Sequence, residues 1–296
     1  MKKLFFITIL SAFVCLSSAQ KPVELRLNLQ KGKTFVQNMD MKMKVKMDFQ
    51  GMKIETDVPF STRISSKVLD IQNGNFVMEY TYEELKIKLD IMGQKFGYDS
   101  SDKKQDLSKN LFAKSFSSFI NNPYTMILDK RQNIVAIEGL DKLFASILEE
   151  NNPFKAQIQS MFSEEKIKDN FSSTNIVFPQ EPVYKGFTWT SETSQNVQGT
   201  NLQTKNTYKV ENLTKKTAEI SSVSEMQMDF SINQSGQQSN IKIQNAQING
   251  TYIIDLKTGW TTSAKVNTDM TMQMTMNQGG REISIPMHMI VEIILK

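Results

Sequence analysis

Residues 39–49 read MDMKMKVKMDF, with an apolar side chain at every second position. This period of two runs along most of the chain and constrains its fold more than any other feature. On a helix, alternate positions scatter around the axis; on a strand they gather on one face. Val23, Leu25, Leu27 and Leu29 alternate with Glu24, Arg26 and Asn28. Met39, Met41, Met43, Val45, Met47 and Phe49 extend the pattern, with Lys42, Lys44 and Lys46 on the other side. Near the far end, MTMQMTM (residues 270–276) repeats it, with Thr271, Gln273 and Thr275 turned the other way. The alternation predicts that these methionines are mostly buried and that the lysines and threonines between them are exposed.

Turn signals separate the strands. KGK, Gly51 and IQNGN mark the first three turns. Pro59 falls inside an apolar-alternating run, which predicts a bulge or an edge position. Phe76, Met78, Tyr80 and Tyr82 occupy even positions, whereas Leu85, Ile87, Leu89 and Ile91 occupy odd ones. A phase change of one residue, here at Glu83 and Glu84, predicts a β-bulge.

The middle of the chain changes period. Leu111, Phe112, Phe116, Phe119 and Ile120 have helical spacing, with Ser108 as candidate N-cap. YTMILDKRQNIVAIEG reads as a hairpin. Leu140, Leu143, Phe144, Ile147 and Leu148 mark one helical stripe. Phe154, Ile158, Met161 and Phe162 mark another, opened by Pro153 and continued by Ile167 and Phe171. Such amphipathic helices are marginal alone and need an apolar surface to dock on. The expected fold is therefore α+β: long antiparallel strands in one or two strongly curved, half-barrel-like sheets, with mid-chain helices packed on the concave face. The expected division is a leader over residues 1–19, an N-terminal β half over 20–106, a helical and hairpin insert over 107–178, and a C-terminal β half over 179–296. MKVKMDFQGMKIETDVPF and MTMQMTMNQGGREISIPM resemble one another. Period-2 hairpins carry little information, so duplication and coincidence both remain open.

The first residues, MKKLFFITILSAFVCLSSAQ, have two lysines, a short apolar run and small residues Ser17 and Ala19 before Gln20. That is the pattern of a cleavable signal peptide, and it implies a periplasmic or secreted protein. Cys15, the one cysteine, falls in the leader, so the mature chain has neither disulfide nor thiolate. No later run approaches the ~20 apolar residues of a membrane helix, so the mature chain is not expected to be transmembrane. Removing Lys2 and Lys3 leaves 33 basic against 31 acidic residues, a net charge of +2 that makes no case for nucleic acid.

Chemistry-bearing patterns are sparse. One histidine, His288, disfavours most acid–base and triad schemes, and no nucleophile elbow, phosphate loop or zinc-protease motif occurs. DSSD (residues 99–102) and DKRQN (129–133) read as turns rather than calcium loops. No catalytic residue, cofactor or metal is expected, and the protein is not expected to be an enzyme. Methionines suit Cu(I), but same-face neighbours on one strand lie ~6.5 Å apart. His288 also sits between Met287 and Met289, and so points to the opposite face. Trp189 and Trp260 read as core anchors. Methionine does suit a surface that adapts to variable apolar partners. The candidate ligand-lining residues are Met41, Met43, Met272 and Met274 on the strands, with Phe144, Ile158 and Phe162 on the helices.

The leader ending in AQ, LRLNLQKGKTF, FPQEPVYKGFTW and GTYIIDLKTGW together resemble a family of exported proteins of Bacteroidetes-type bacteria, known as a domain of unknown function. The resemblance spans most of the mature chain. Its motifs are turns and strand starts, so it implies no functional residue. Long curved strands with helices inserted midway are also similar to periplasmic lipoprotein-carrier half-barrels, which implies acyl-chain binding on a concave face. Two functions follow as expectations: a non-enzymatic carrier or binding protein for an apolar, lipid-like ligand, or a structural or interaction protein of the cell envelope with a filled core. An apolar pocket of several hundred Å³ separates the first from the second.

Overall fold

The structure is a computed structural model that describes residues 21–91, 94–141, 163–197, 200–227, 229–234, 237–278 and 281–296. Its strands are β1 (Thr34–Phe49), β2 (Met52–Gln72), β3 (Asn75–Ile91), β4 (Gln94–Asp99), β5 (Tyr124–Leu128) and β6 (Ile134–Glu138) in the N-terminal half. The C-terminal half has β7 (Thr188–Val197), β8 (Thr200–Leu213), β9 (Thr217–Gln227), β10 (Asp229–Gln234), β11 (Gln237–Asp255), β12 (Thr261–Gln278) and β13 (Arg281–Leu295). All thirteen belong to one antiparallel sheet, ordered β6-β5-β3-β2-β1-β13-β12-β11-β9-β8-β7, with β4 added to β3 and β10 to β11. The two halves join where β1 pairs with β13.

The turns follow from residues that accept a left-handed backbone. Gln50 and Gly51 join β1 to β2, and Asn73 and Gly74 join β2 to β3, all at positive φ. Such two-residue turns match the twist of the strands they connect. The expected bulge is present: the β2–β3 register shifts between Arg63 and Ile64, opposite Glu84 and Tyr82, which leaves Glu83 as the extra residue. Glu83 accepts a 2.8 Å hydrogen bond from Arg63 Nε. The bulge turns Leu85 and Ile87 to the same side as Tyr80 and Tyr82, and all four are buried.

The expectation of an α+β fold with helices over a concave face is not met. The protein is mostly β, and among the described residues there are two helices, α1 (Leu111–Ser117) and α2 (Glu164–Thr174). The helical spacing of Phe112, Phe116 and Phe119 is met by seven helical residues and a following turn, in which Phe119 N donates to the Phe116 carbonyl at 3.1 Å. All three rings are buried, so no longer helix is needed to hide them. Asn110, not Ser108, caps α1: its Oδ1 accepts from Ala113 N at 2.9 Å. The Ser108 hydroxyl is bonded to Asp106 instead. The stripes containing Phe144, Ile158 and Phe162 lie outside the described residues.

Two apolar clusters back the sheet. One gathers β2, β3, β5 and α1 around Val68, Met78, Phe116 and Leu128. The other gathers β8, β9, β11 and β12 around Phe178, Val210, Ile220 and Ile254. Residues 23–29 tie them together. Their alternation is as the sequence indicates, with Leu25, Leu27 and Leu29 at most 4% exposed. The segment is a strap rather than a member of the ladder. Val23 exchanges two 2.8 Å hydrogen bonds with Val183, Leu27 N donates to the Lys130 carbonyl, and Asn28 N donates to that of Thr258. Leu25 enters the second cluster, and Leu27 and Leu29 enter the first. Gly259, at φ +70°, lets the chain pass: a Cβ there would lie 2.0 Å from the Arg26 carbonyl oxygen. Trp260 follows, 3% exposed and stacked on Phe35 at 4.6 Å. Trp189 stacks on Tyr208 at 5.1 Å and donates to the Val177 carbonyl.

Candidate functional site

The central ladder fixes which residues share a face. Phe60, Met41, Ile293 and Val266 form one row across β2, β1, β13 and β12. Val58, Met43, Val291 and Thr268 form the next, and Ile54, Met47, Met287 and Met272 another further along. The opposite face is charged. Lys44 lies 3.1 Å from Glu55 and 3.6 Å from Asp57, Lys265 lies 2.9 Å from Glu292, and His288 Nε2 lies 2.8 Å from Asp269. The hydrogen bond to Glu55 and the charge of Asp57 raise the Lys44 pKa, but exposed pairs of this kind add little stability. His288 thus faces away from Met287 and Met289.

The degree of burial departs from expectation. Met270 is buried at 5%, but Met39, Met41, Met43, Met47, Met272, Met274 and Met276 are half-buried. Lys42 and Lys46 are exposed, while Lys44, Thr271, Gln273 and Thr275 are half-buried like the methionines. The register assigns the faces as read. What differs is that, among the described residues, no second packed layer covers the apolar face along its whole length, and part of that face borders open space.

That space is a cavity of about 450 Å³. β1 supplies Gln37, Met39, Met41 and Met43; β2 supplies Val58, Phe60 and Ile64; β3 supplies Tyr80, Tyr82, Ile87 and Leu89. Tyr124 and Met126 of β5, Leu295 of β13, and Lys166, Ile167, Phe171 and Thr174 of α2 complete most of the wall, with Asn175 just beyond. From Gln37 to Met43 the wall follows six residue steps of β1, a length of roughly 20 Å. Ser163 caps α2 by accepting from Lys166 N, and so starts the helix where Ile167 and Phe171 turn inward.

The polar groups of the wall are mostly engaged or sealed. Gln37 Nε2 donates to the Thr261 carbonyl at 2.8 Å. Asn175 Nδ2 donates to the Phe171 carbonyl at 3.1 Å. Asn175 Oδ1 and the Tyr80 hydroxyl have no geometric hydrogen-bond partner, but neither atom has accessible area, so neither reaches the open space. Tyr80 and Tyr124 stack with ring centroids 5.7 Å apart, and Tyr82 tilts against Tyr124 at 6.3 Å. Burial pushes Tyr82 up to about 12, against a smaller opposing effect of its hydrogen bond with Tyr124. Burial also raises Tyr124, with the neighbouring phenols adding to it, and raises Tyr80, which the nearby Ser66 hydroxyl opposes weakly. These tyrosines are neutral at any physiological pH, and the cavity presents an apolar, uncharged surface along most of its length.

A second hollow, about 510 Å³ and more open, lies near the β1–β2 turn. Lys46, Asp48, Lys53, Glu55, Thr271, Pro286 and His288 border it, with Met47, Ile54, Gln244, Met272 and Met287. By strand parity most of these belong to the charged face, so this is a mixed polar groove. Of the sequence-derived candidates, Met41 and Met43 line the apolar cavity and Met272 borders the second hollow. Met274 lies further along β12, opposite Ile285 and Ile241. Phe144, Ile158 and Phe162 are outside the described residues. The aromatic wall was not singled out from sequence. Its signal was the even-phase pair Tyr80 and Tyr82, which reads equally well as ordinary core.

The family model for DUF6263, a family of unknown function, matches residues 73–261, more than half of the chain. The chain belongs to the DUF6263 family. No curated protein matches the sequence. Among solved structures, one titled for lipid–protein interactions in lipovitellin aligns at 11% identity over 91% of this chain and 25% of its own, with a TM-score of 0.47. This DUF6263 chain therefore spans about a quarter of that protein's length. An outer membrane channel from Pseudomonas putida F1 aligns at 9% identity over 90% of this chain and 97% of its own, with a TM-score of 0.21. A DUF1329 family protein from Desulfovibrio piger aligns at 7% identity over 87% and 83%, with a TM-score of 0.14. At these TM-scores the likenesses carry no argument about the present chain.

Proposed function

We propose that this DUF6263 protein is a non-enzymatic, exported carrier or binding protein for an apolar, lipid-like ligand. The observation that carries the reading is the 450 Å³ cavity walled by Met39, Met41, Met43, Phe60, the tyrosine cluster and α2. Its volume falls in the range of small-molecule sites, and its wall has few polar groups free to direct chemistry. The flexible thioethers of β1 suit an acyl chain of variable shape. The leader read at residues 1–19 supports export to the periplasm or beyond, where such a carrier would move or hold lipid between membranes. Native mass spectrometry of the protein released from its own cells tests this. The expected result is a population carrying one apolar small molecule. Protein that is uniformly bare, and that also fails to take up lipid from vesicles, would favour a role in contacting other envelope proteins instead.

A further inference from the structure

The cavity meets a break in the sheet. The β2–β3 ladder runs from Gln72 opposite Asn75 as far as Phe60 opposite Ile87, and there it stops. Both strands continue past that point. β2 goes on to Met52, paired with β1, while β3 goes on to Ile91, paired with β4. The next rungs, Pro59 with Lys88 and Val58 with Leu89, are not formed, although all four residues are described. In the C-terminal half the β11–β12 ladder continues from Ser239 to Ile254, and the β9–β11 ladder stops at Ser224 opposite Ile248, but the residues just beyond that break do not line the cavity.

Two features make the seam more than a frayed end. Pro59 is the first residue of β2 without a β3 partner and has no backbone N–H, so the β2–β3 ladder cannot be extended there at full strength. Val58 and Leu89, which flank the first open rung on the apolar side, are both part of the cavity wall. The long cavity therefore runs from Gln37 to an interval between two strands that hydrogen bonds do not hold shut.

We propose that this seam is the portal of the cavity, and that the ligand is a single-chain amphiphile that passes tail first between β2 and β3. The proposal rests on the apolar-ligand reading above and specifies its ligand class. Taking a methylene as about the size of a water molecule, roughly 30 Å³ in the liquid, the cavity holds about fifteen of them. That is one acyl chain, not two. The polar head then stays at the seam, where strand edges offer unpaired backbone groups and the exposed Lys88 lies alongside.

Stapling the seam tests this. Pro59→Cys and Lys88→Cys are combined in a chain whose one native cysteine, Cys15, is replaced by serine, so that a single disulfide or a short bismaleimide bridge closes the first open rung. Binding of a fluorescent long-chain fatty acid is followed by stopped flow before and after bridging. Closing a portal slows association and dissociation together, by about tenfold or more, and leaves the equilibrium affinity near its unbridged value. Reducing the disulfide restores both rates. A bridged protein whose rates match the unbridged one overturns the portal. A bridged protein that loses affinity with no change in association rate overturns it too, because that outcome means that the bridge distorts the cavity wall. Tight binding of a two-chain phospholipid overturns the ligand class. Failure of the unbridged protein to bind any fatty acid or phospholipid would instead remove the apolar-ligand reading itself.

Discussion

Tyr80, Tyr82 and Tyr124 form an aromatic cluster in the cavity wall, each with its ionisation suppressed chiefly by burial. The linkage has a definite sign. An unfolded tyrosine loses its proton near 10, whereas Tyr82 in the fold holds it to about 12. Between those values the unfolded state binds fewer protons than the folded one, so stability falls as pH rises. The contribution is fully present below pH 10 and is lost through the range up to about 12, with Tyr80 and Tyr124 steepening the loss. Urea midpoints measured from neutral to strongly alkaline pH should be flat to about pH 9 and then drop. Tyr82→Phe should make the alkaline drop shallower. Phenolate absorbance near pH 10 that Tyr82→Phe reduces while the fold persists would show that ring to be exposed. At this scale the sequence was only partly informative. Tyr80 and Tyr82 could be placed on one face by their even phase, but nothing local marks them as neighbours of Tyr124, more than forty residues on.

Strand elements were the most legible part of the chain, because a period of two is decided within a few residues. The alternation of Met39 to Met47, the turn at Gly51 and the bulge beside Glu83 all appear where the pattern puts them. Pro59 sits where β2 loses its partner on one side, which is the edge condition its missing N–H demands. Depth was not legible. A pattern shows which face is apolar but not how much packs against it, and so Met41 and Met43 prove half-buried rather than buried. The strap at residues 23–29 shows the same limit, since its alternation was clear and its partners, Val183, Lys130 and Thr258, are far away in sequence. Helical spacing located α1 around Phe112 and Phe116, but it did not show how short that helix is, and the two described helices do not make the layer over the sheet that an α+β fold requires. Adjacent substitutions on β1 check the face assignment. Met43→Asp should destabilise by about 2–4 kcal/mol in urea unfolding, because it sets a carboxylate against an apolar wall. Lys42→Gln, one residue away on the charged face, should stay within about 0.5 kcal/mol. Equal effects would mean that the faces are misassigned.

On the scale of the molecule, one thirteen-stranded sheet carries two apolar clusters, joined in the middle by the β1–β13 ladder and across by the strap. The cavity belongs to the N-terminal side of this arrangement, where β1, β2, β3 and β5 share a face with α2. The whole account turns on whether that space binds an apolar chain. Titration with a fluorescent long-chain fatty acid, comparing the wild-type protein with Met41→Trp, tests this most directly. An indole at position 41 fills the open space without touching the charged face, so the fold should be as stable as before or slightly more so. The expected result is saturable one-to-one binding by the wild type, weakened about tenfold or more in Met41→Trp with an unchanged or raised melting temperature. Wild-type protein that shows no saturable binding, or a variant that binds as tightly as the wild type, would contradict it.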